Sequence, residues 1–81
     1  MEQPARTPRQ LAHVLRGQRR QKRLSQRETG DRVGLLPKTI SILESEPERS
    51  SLESFFKLLS ALDLELVLRE KGAGITRKRE W

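Results

Sequence analysis

The sequence predicts an all-α domain organised around a helix-turn-helix pair, with one C-terminal β-strand that pairs across a homodimer. Three observations carry this expectation. Thr7, Ser25 and Ser50 each stand three residues before a Gln or Glu and just ahead of apolar residues at helical spacing. Gly34 separates two short helical segments. The stretch LDLELVL is the one place where leucines alternate with period two.

Residues 1–6 include Pro4, show no periodicity, and read as a disordered arm before a domain spanning 7–63. Thr7, Pro8 and Gln10 form a Thr-x-x-Gln box with proline at the first helical position, where its missing N–H costs nothing. Leu11, Val14 and Leu15 follow at helical spacing, and the helix should reach about Lys22. Arg9, Arg16, Arg19 and Arg20, with His13 among them, are expected on its solvent side. Ser25 and Glu28 open a second helix over Gln26 to Val33, which Gly34 stops. Pro37 opens a third, ending near Glu44, with Ile40 and Leu43 turned one way and Lys38, Ser41 and Ile42 another. By spacing alone, these two helices fit an ordinary small bundle as well as a DNA-binding motif.

Residues 45–51 are expected as a loop, after which Ser50 and Glu53 form a third box. Leu52, Phe55, Phe56, Leu59 and Leu62 then make the apolar spine. Residues 64–70 follow as the dimerisation strand, with Leu64, Leu66, Val67 and Leu68 at the interface, because a lone strand needs a second copy to pair with. The alternative is that LDLELVL continues the preceding helix, since Leu and Glu are strong helix formers. Either form exposes too many leucines for so small a monomer. Residues 71–81 read as a flexible tail ending in Trp81, which is either an anchor for a partner's pocket or an unselected end residue.

Composition narrows the chemistry. The chain has 81 residues, no cysteine and one histidine, so thiol chemistry and disulfides are excluded and His13 alone cannot build a metal site. No Gly-rich phosphate loop or catalytic spacing is present, so no enzyme, cofactor or small-molecule substrate is expected. No apolar run approaches the roughly 18 to 20 residues that span a bilayer, and a soluble, cytoplasmic protein is expected, associated with the nucleoid through its DNA. A core this small rarely supplies more than about 3 to 5 kcal/mol, which again favours oligomerisation. Residues 1–40 carry ten Lys and Arg against three acids, whereas residues 41–81 carry seven against eight. Such a one-sided positive field suits a polyanion, although a solvated basic surface accounts for it equally.

In a helix-turn-helix the first helix crosses the DNA backbone and the second enters the major groove. Gln26 and Arg27, at the first helix's N-terminus, suit phosphate oxygens. Lys38 and Ser41 share a face of the second helix and could reach base edges, with Thr39 on phosphate and Ile42 against a thymine methyl. Two such helices about 34 Å apart in a two-fold dimer would read successive grooves.

Ser25-Gln26, Val33-Gly34 and Ile40-Ser41-Ile42-Leu43-Glu44 resemble the Ser/Thr-Gln, Val/Ile-Gly and Ile-Ser-x-x-Glu pattern of the Cro/CI-type (Xre-like) helix-turn-helix family. Within it, Ser-Leu-Glu-Ser-Phe-Phe-Lys-Leu-Leu at 51–59, the strand-like segment at 64–68 and the ending Glu80-Trp81 look most like HipB-type antitoxins. The resemblance implies a homodimeric repressor of its own operon that binds operator DNA and neutralises a HipA-like serine/threonine kinase toxin, with Trp81 in toxin binding. The runner-up is a free-standing Cro/CI-like regulator, and behind it an adaptor that never meets DNA. Two departures stand out. Thr29-Gly30 replaces a bulky apolar residue and alanine, which should weaken the second helix by roughly 1 kcal/mol. Leu36 and Pro37 replace side chains that are often polar and base-reading.

Overall fold

The computed structural model describes residues 2–71. Four helices, α1 (Pro8–Gln21), α2 (Gln26–Val33), α3 (Pro37–Ser45) and α4 (Leu52–Ala61), are joined by short turns, with one 3₁₀ turn at Pro47–Arg49 between α3 and α4. The first three helices begin and end within about a residue of where the sequence places them. The 3₁₀ turn refines the expected loop.

Local chemistry sets these boundaries. Thr7 Oγ1 accepts the Gln10 amide at 3.1 Å, but Gln10 Oε1 accepts the Arg6 amide at 2.6 Å, so the return bond of the expected box lands one residue early. The Ser25–Glu28 box is complete: Ser25 Oγ accepts the Glu28 amide at 2.9 Å and Glu28 Oε1 accepts the Ser25 amide at 2.8 Å. Gly34 caps α2 at φ 74°. Arg23 and Asp63 both stand at φ 59° after α1 and α4. Each ends its helix in a Schellman turn, with Leu24 N–H on Arg19 C=O at 3.2 Å and Leu64 N–H on Leu59 C=O at 2.8 Å. The left-handed conformation costs these side chains roughly 1–2 kcal/mol each. Leu24 and Leu64, the residues just beyond, offset that cost by packing on the core.

The third cap is corrected. Ser51, not Ser50, accepts the Ser54 amide at 3.1 Å, so α4 starts one residue later and Glu53 is not the return acceptor. Ser50 Oγ is buried without a hydrogen-bond partner. Its extended backbone (φ −97°, ψ 162°) closes the 3₁₀ turn and leaves the capping position to the next residue.

Leu15, Ile40, Leu43, Leu58, Leu59 and Leu62 form the core, flanked by Leu11, Leu24, Leu35, Phe55 and Leu64. The expected spine on α4 is therefore partly wrong: Leu52 is 74% and Phe56 49% exposed, while Leu58 is fully buried. Apolar residues ring most of α4, so more than one stripe satisfies helical spacing, and packing against α2 and α3 selects the one through Leu58. Residues 64–70 lie in no helix, which removes the helical alternative for LDLELVL. Among the described residues they also find no second strand. Residues 2–6 are exposed and outside regular structure, with Glu2 3.1 Å from Arg69.

Candidate nucleic-acid interface

The α2–α3 pair is held by a buried polar clamp. Arg19 Nε donates to Glu44 Oε2 at 2.6 Å and its Nη2 donates to Glu44 Oε1 at 3.1 Å, a two-bond fork between α1 and α3. The third guanidinium nitrogen, Nη1, donates to Leu24 C=O at 2.7 Å in the turn before α2. Gln26 Nε2 reaches Glu44 Oε1 at 3.3 Å, so the first residue of α2 joins the same network. The Arg19 and Glu44 side chains are only 10% and 4% exposed. Burial of an ion pair this deep is tolerated because hydrogen bonds satisfy both partners.

Arg19 therefore leaves the solvent row of α1 where the sequence placed it. Its burial was not legible there, because its partner is 25 residues away. Glu44 was visible as the last residue of the Ile-Ser-x-x-Glu pattern but without a role. The clamp fixes the angle between α2 and α3 and orients the Gln26 amide.

Gly30 makes the turn possible. A Cβ on it would lie 2.2 Å from Leu35 C=O, and Leu35 N–H donates to Gly30 C=O at 2.9 Å. The glycine expected to weaken α2 is also what lets the turn after α2 close against the helix. Thr29, fully buried, donates its hydroxyl to Ser25 C=O at 2.9 Å, so the polar residue there is satisfied.

The expected contact residues divide by position. Arg27 and Lys38 are exposed, Gln26, Thr39, Ser41 and Ile42 are half-buried, and Ile40 and Leu43 face inward. Lys38, Ser41 and Ser45 recur at intervals of three and four along one side of α3. Ser45 Oγ donates to Ser41 C=O at 2.7 Å and so is oriented along the helix. α3 has no side-chain cap, and Pro37 occupies its first turn. Leu36, just ahead of it, is 70% exposed. His13 is exposed, as expected of a helix-surface residue. The backbone amide of Ser25, followed by its hydroxyl, holds the Glu28 carboxyl below its ordinary range.

Of the expected dimer residues, Leu64 packs partly on the chain's own core, whereas Leu66, Val67 and Leu68 are exposed. Trp81 lies outside the described residues. Among the described residues no cluster of His, Cys, Asp and Glu could hold a metal ion, and no helix is long and apolar enough to cross a membrane.

No protein-family model matches the chain. Antitoxin HipB of Escherichia coli O6:H1 is 37% identical over 62 residues, covering 76% of this chain and 66% of that protein. Antitoxin HipB of Escherichia coli K12 is 36% identical over 62 residues, covering 76% and 70%. Among solved structures, a HipA-HipB-O2-O3 complex superposes with a TM-score of 0.83 at 33% identity, covering 86% of this chain and 99% of that one. A HipB-O4 20mer complex gives the same four values. With the helix order, the buried clamp and these similarities together, the chain belongs to the HipB family of helix-turn-helix antitoxins.

Proposed function

We propose that the protein is a sequence-specific DNA-binding antitoxin, a homodimer that represses its own operon and binds and neutralises a HipA-like serine/threonine kinase. The carrying observation is the clamp: the Arg19–Glu44 pair ties α1 to α3, and the bonds from Arg19 to Leu24 C=O and from Gln26 to Glu44 tie the N-terminus of α2 to the same end of α3. This support is rigid, which groove insertion requires. Solved relatives include HipB with an O4 20mer and HipB with HipA, O2 and O3 together, which supports both partners. Gln26, Arg27 and Thr39 take phosphates, Lys38 and Ser41 read base edges, and Ile42 packs on a thymine methyl.

The protein works by binding rather than by catalysis, in the cytoplasm and on the nucleoid. Leu66, Val67 and Leu68 lie exposed on a segment with no strand partner among the described residues, which supports pairing of 64–70 with a second copy. Trp81 is assigned to the kinase. DNA from the protein's own upstream region provides the test. Lys38→Ala or Ser41→Ala should relax the preference for that DNA over a scrambled duplex, and Arg27→Ala should weaken both alike. Equal binding of wild-type protein to both duplexes at physiological salt rejects the specific repressor. Co-purification from the native host without a kinase leaves a free-standing regulator.

A further inference from the structure

Burial of Arg19 divides the basic side of α1 in two. Arg19 is consumed inside the domain, while Arg9, His13, Arg16 and Arg20 remain exposed at successive spacings of four, three and four, which keeps them on one face. Arg9, His13 and Arg16 line an open groove together with Glu44 and Ser45 at the C-terminal end of α3 and Pro47 of the 3₁₀ turn. Ser45 is also the last member of the Lys38–Ser41–Ser45 side of α3. Through Ser45, the side of α3 assigned to bases meets the basic row of α1 at this groove.

The acids near that row are engaged. Glu44 is held by Arg19, Glu46 lies 2.6 Å from Arg49, and Glu48 lies 3.6 Å from Arg9. Arg16 and Arg20 have no acidic partner among the described residues. Both guanidinium groups are exposed, and Arg16 lines the groove that Ser45 of α3 also lines, with Arg20 one turn further along the same face of α1. Each presents a donor fork that suits phosphate oxygens.

We propose that Arg16 and Arg20, on the α1 face they share with His13, form a second DNA-binding surface that takes backbone phosphates flanking the bases met by α3. The proposal rests on the DNA-binding reading above and assigns to α1 a backbone tract continuous with the α3 interface. Glu48 tempers it, by holding Arg9 in an exposed and therefore weak pair.

The test uses the full-length protein with duplex DNA of its own upstream region, whole or trimmed to the bases protected by α3. Arg16→Gln/Arg20→Gln should weaken whole cognate and scrambled duplexes alike, by about fivefold at about 0.15 M salt for each phosphate no longer neutralised. The salt dependence should flatten by about 0.9 in log–log slope per phosphate. Trimmed DNA should lose little. Arg16→Lys/Arg20→Lys should recover most of the affinity, and Glu48→Gln should raise it by freeing Arg9. An unchanged affinity and slope in the Gln variant, with Lys38→Ala still altering sequence preference, overturns the α1 tract alone. Loss of kinase capture with DNA binding intact also overturns it. Failure of the wild-type protein to bind DNA at all overturns the underlying reading instead.

Discussion

The helix-turn-helix unit and the segment after α4 satisfy their polar groups in opposite ways. Between α1 and α3, the buried charges of Arg19 and Glu44 find partners within the chain, and even Thr29 is hydrogen-bonded. Residues 64–70 leave their backbone outside any helix or strand, with Leu66, Val67 and Leu68 exposed. One region is complete within the described chain, and the other, on the reading proposed above, is the part that a second copy would finish. A part that must hold fixed geometry against a ligand closes on itself, and a part that recruits a partner stays open.

Breaking the closed region should have the largest effect. Glu44→Ala leaves the Arg19 guanidinium buried and uncompensated, which should cost about 3–5 kcal/mol and show as a large fall in melting temperature. Replacing both partners sharpens the point: Arg19→Met with Glu44→Leu should regain most of that stability while releasing Gln26 and impairing DNA binding. Gly30→Ala comes next. Its Cβ would meet backbone oxygen rather than a side-chain tip, so relief requires the turn to move, at about 1–3 kcal/mol by thermal unfolding. Stability close to wild type would mean that the turn yields easily.

The open region should respond in association rather than in helix content. Val67→Pro removes a backbone donor from each protomer, about 2 kcal/mol per dimer if both donors are in the ladder. Sedimentation should then report a dimer dissociation constant about 30-fold higher, with circular dichroism unchanged. A constant unaffected by the proline places the interface elsewhere. The smallest effect separates adjacent serines. Ser51→Ala should cost about 1 kcal/mol by chemical denaturation, as the loss of an N-cap does, and Ser50→Ala should not, because Ser50 Oγ has no hydrogen bond to lose.

Glu28 adds an acid-side dependence to the closed region. Its folded carboxyl titrates below its ordinary value of 4.5 because the Ser25 amide and hydroxyl stabilise the charged form. That contribution is present above the ordinary value and is lost as pH falls through the depressed folded value.

Helix starts were legible wherever the determinant is local. Thr7, Ser25, Pro37 and Gly34 act within a turn of themselves, and α1, α2 and α3 begin where those residues place them. The apolar pair Ile40 and Leu43 and the exposed Lys38 follow from helical periodicity in the same way. Ser50 and Ser51 defeated that logic because both can cap, and the preceding 3₁₀ turn decides between them. Leu52 and Phe56 defeated it because α4 is apolar on most sides.

The amino-acid order by itself determined the four helical segments, the glycine-bearing turn and the basic first half, since these depend on residues close together in the chain. Only the tertiary structure decided that Arg19 is a buried strut rather than a solvent charge, that Gly30 is needed for close approach, and that Leu58 faces the core. Each of those depends on which distant residue arrives opposite: Glu44 for Arg19, Leu35 for Gly30, and the α2–α3 pair for α4. Spacing along one helix carries no record of its partner across the core.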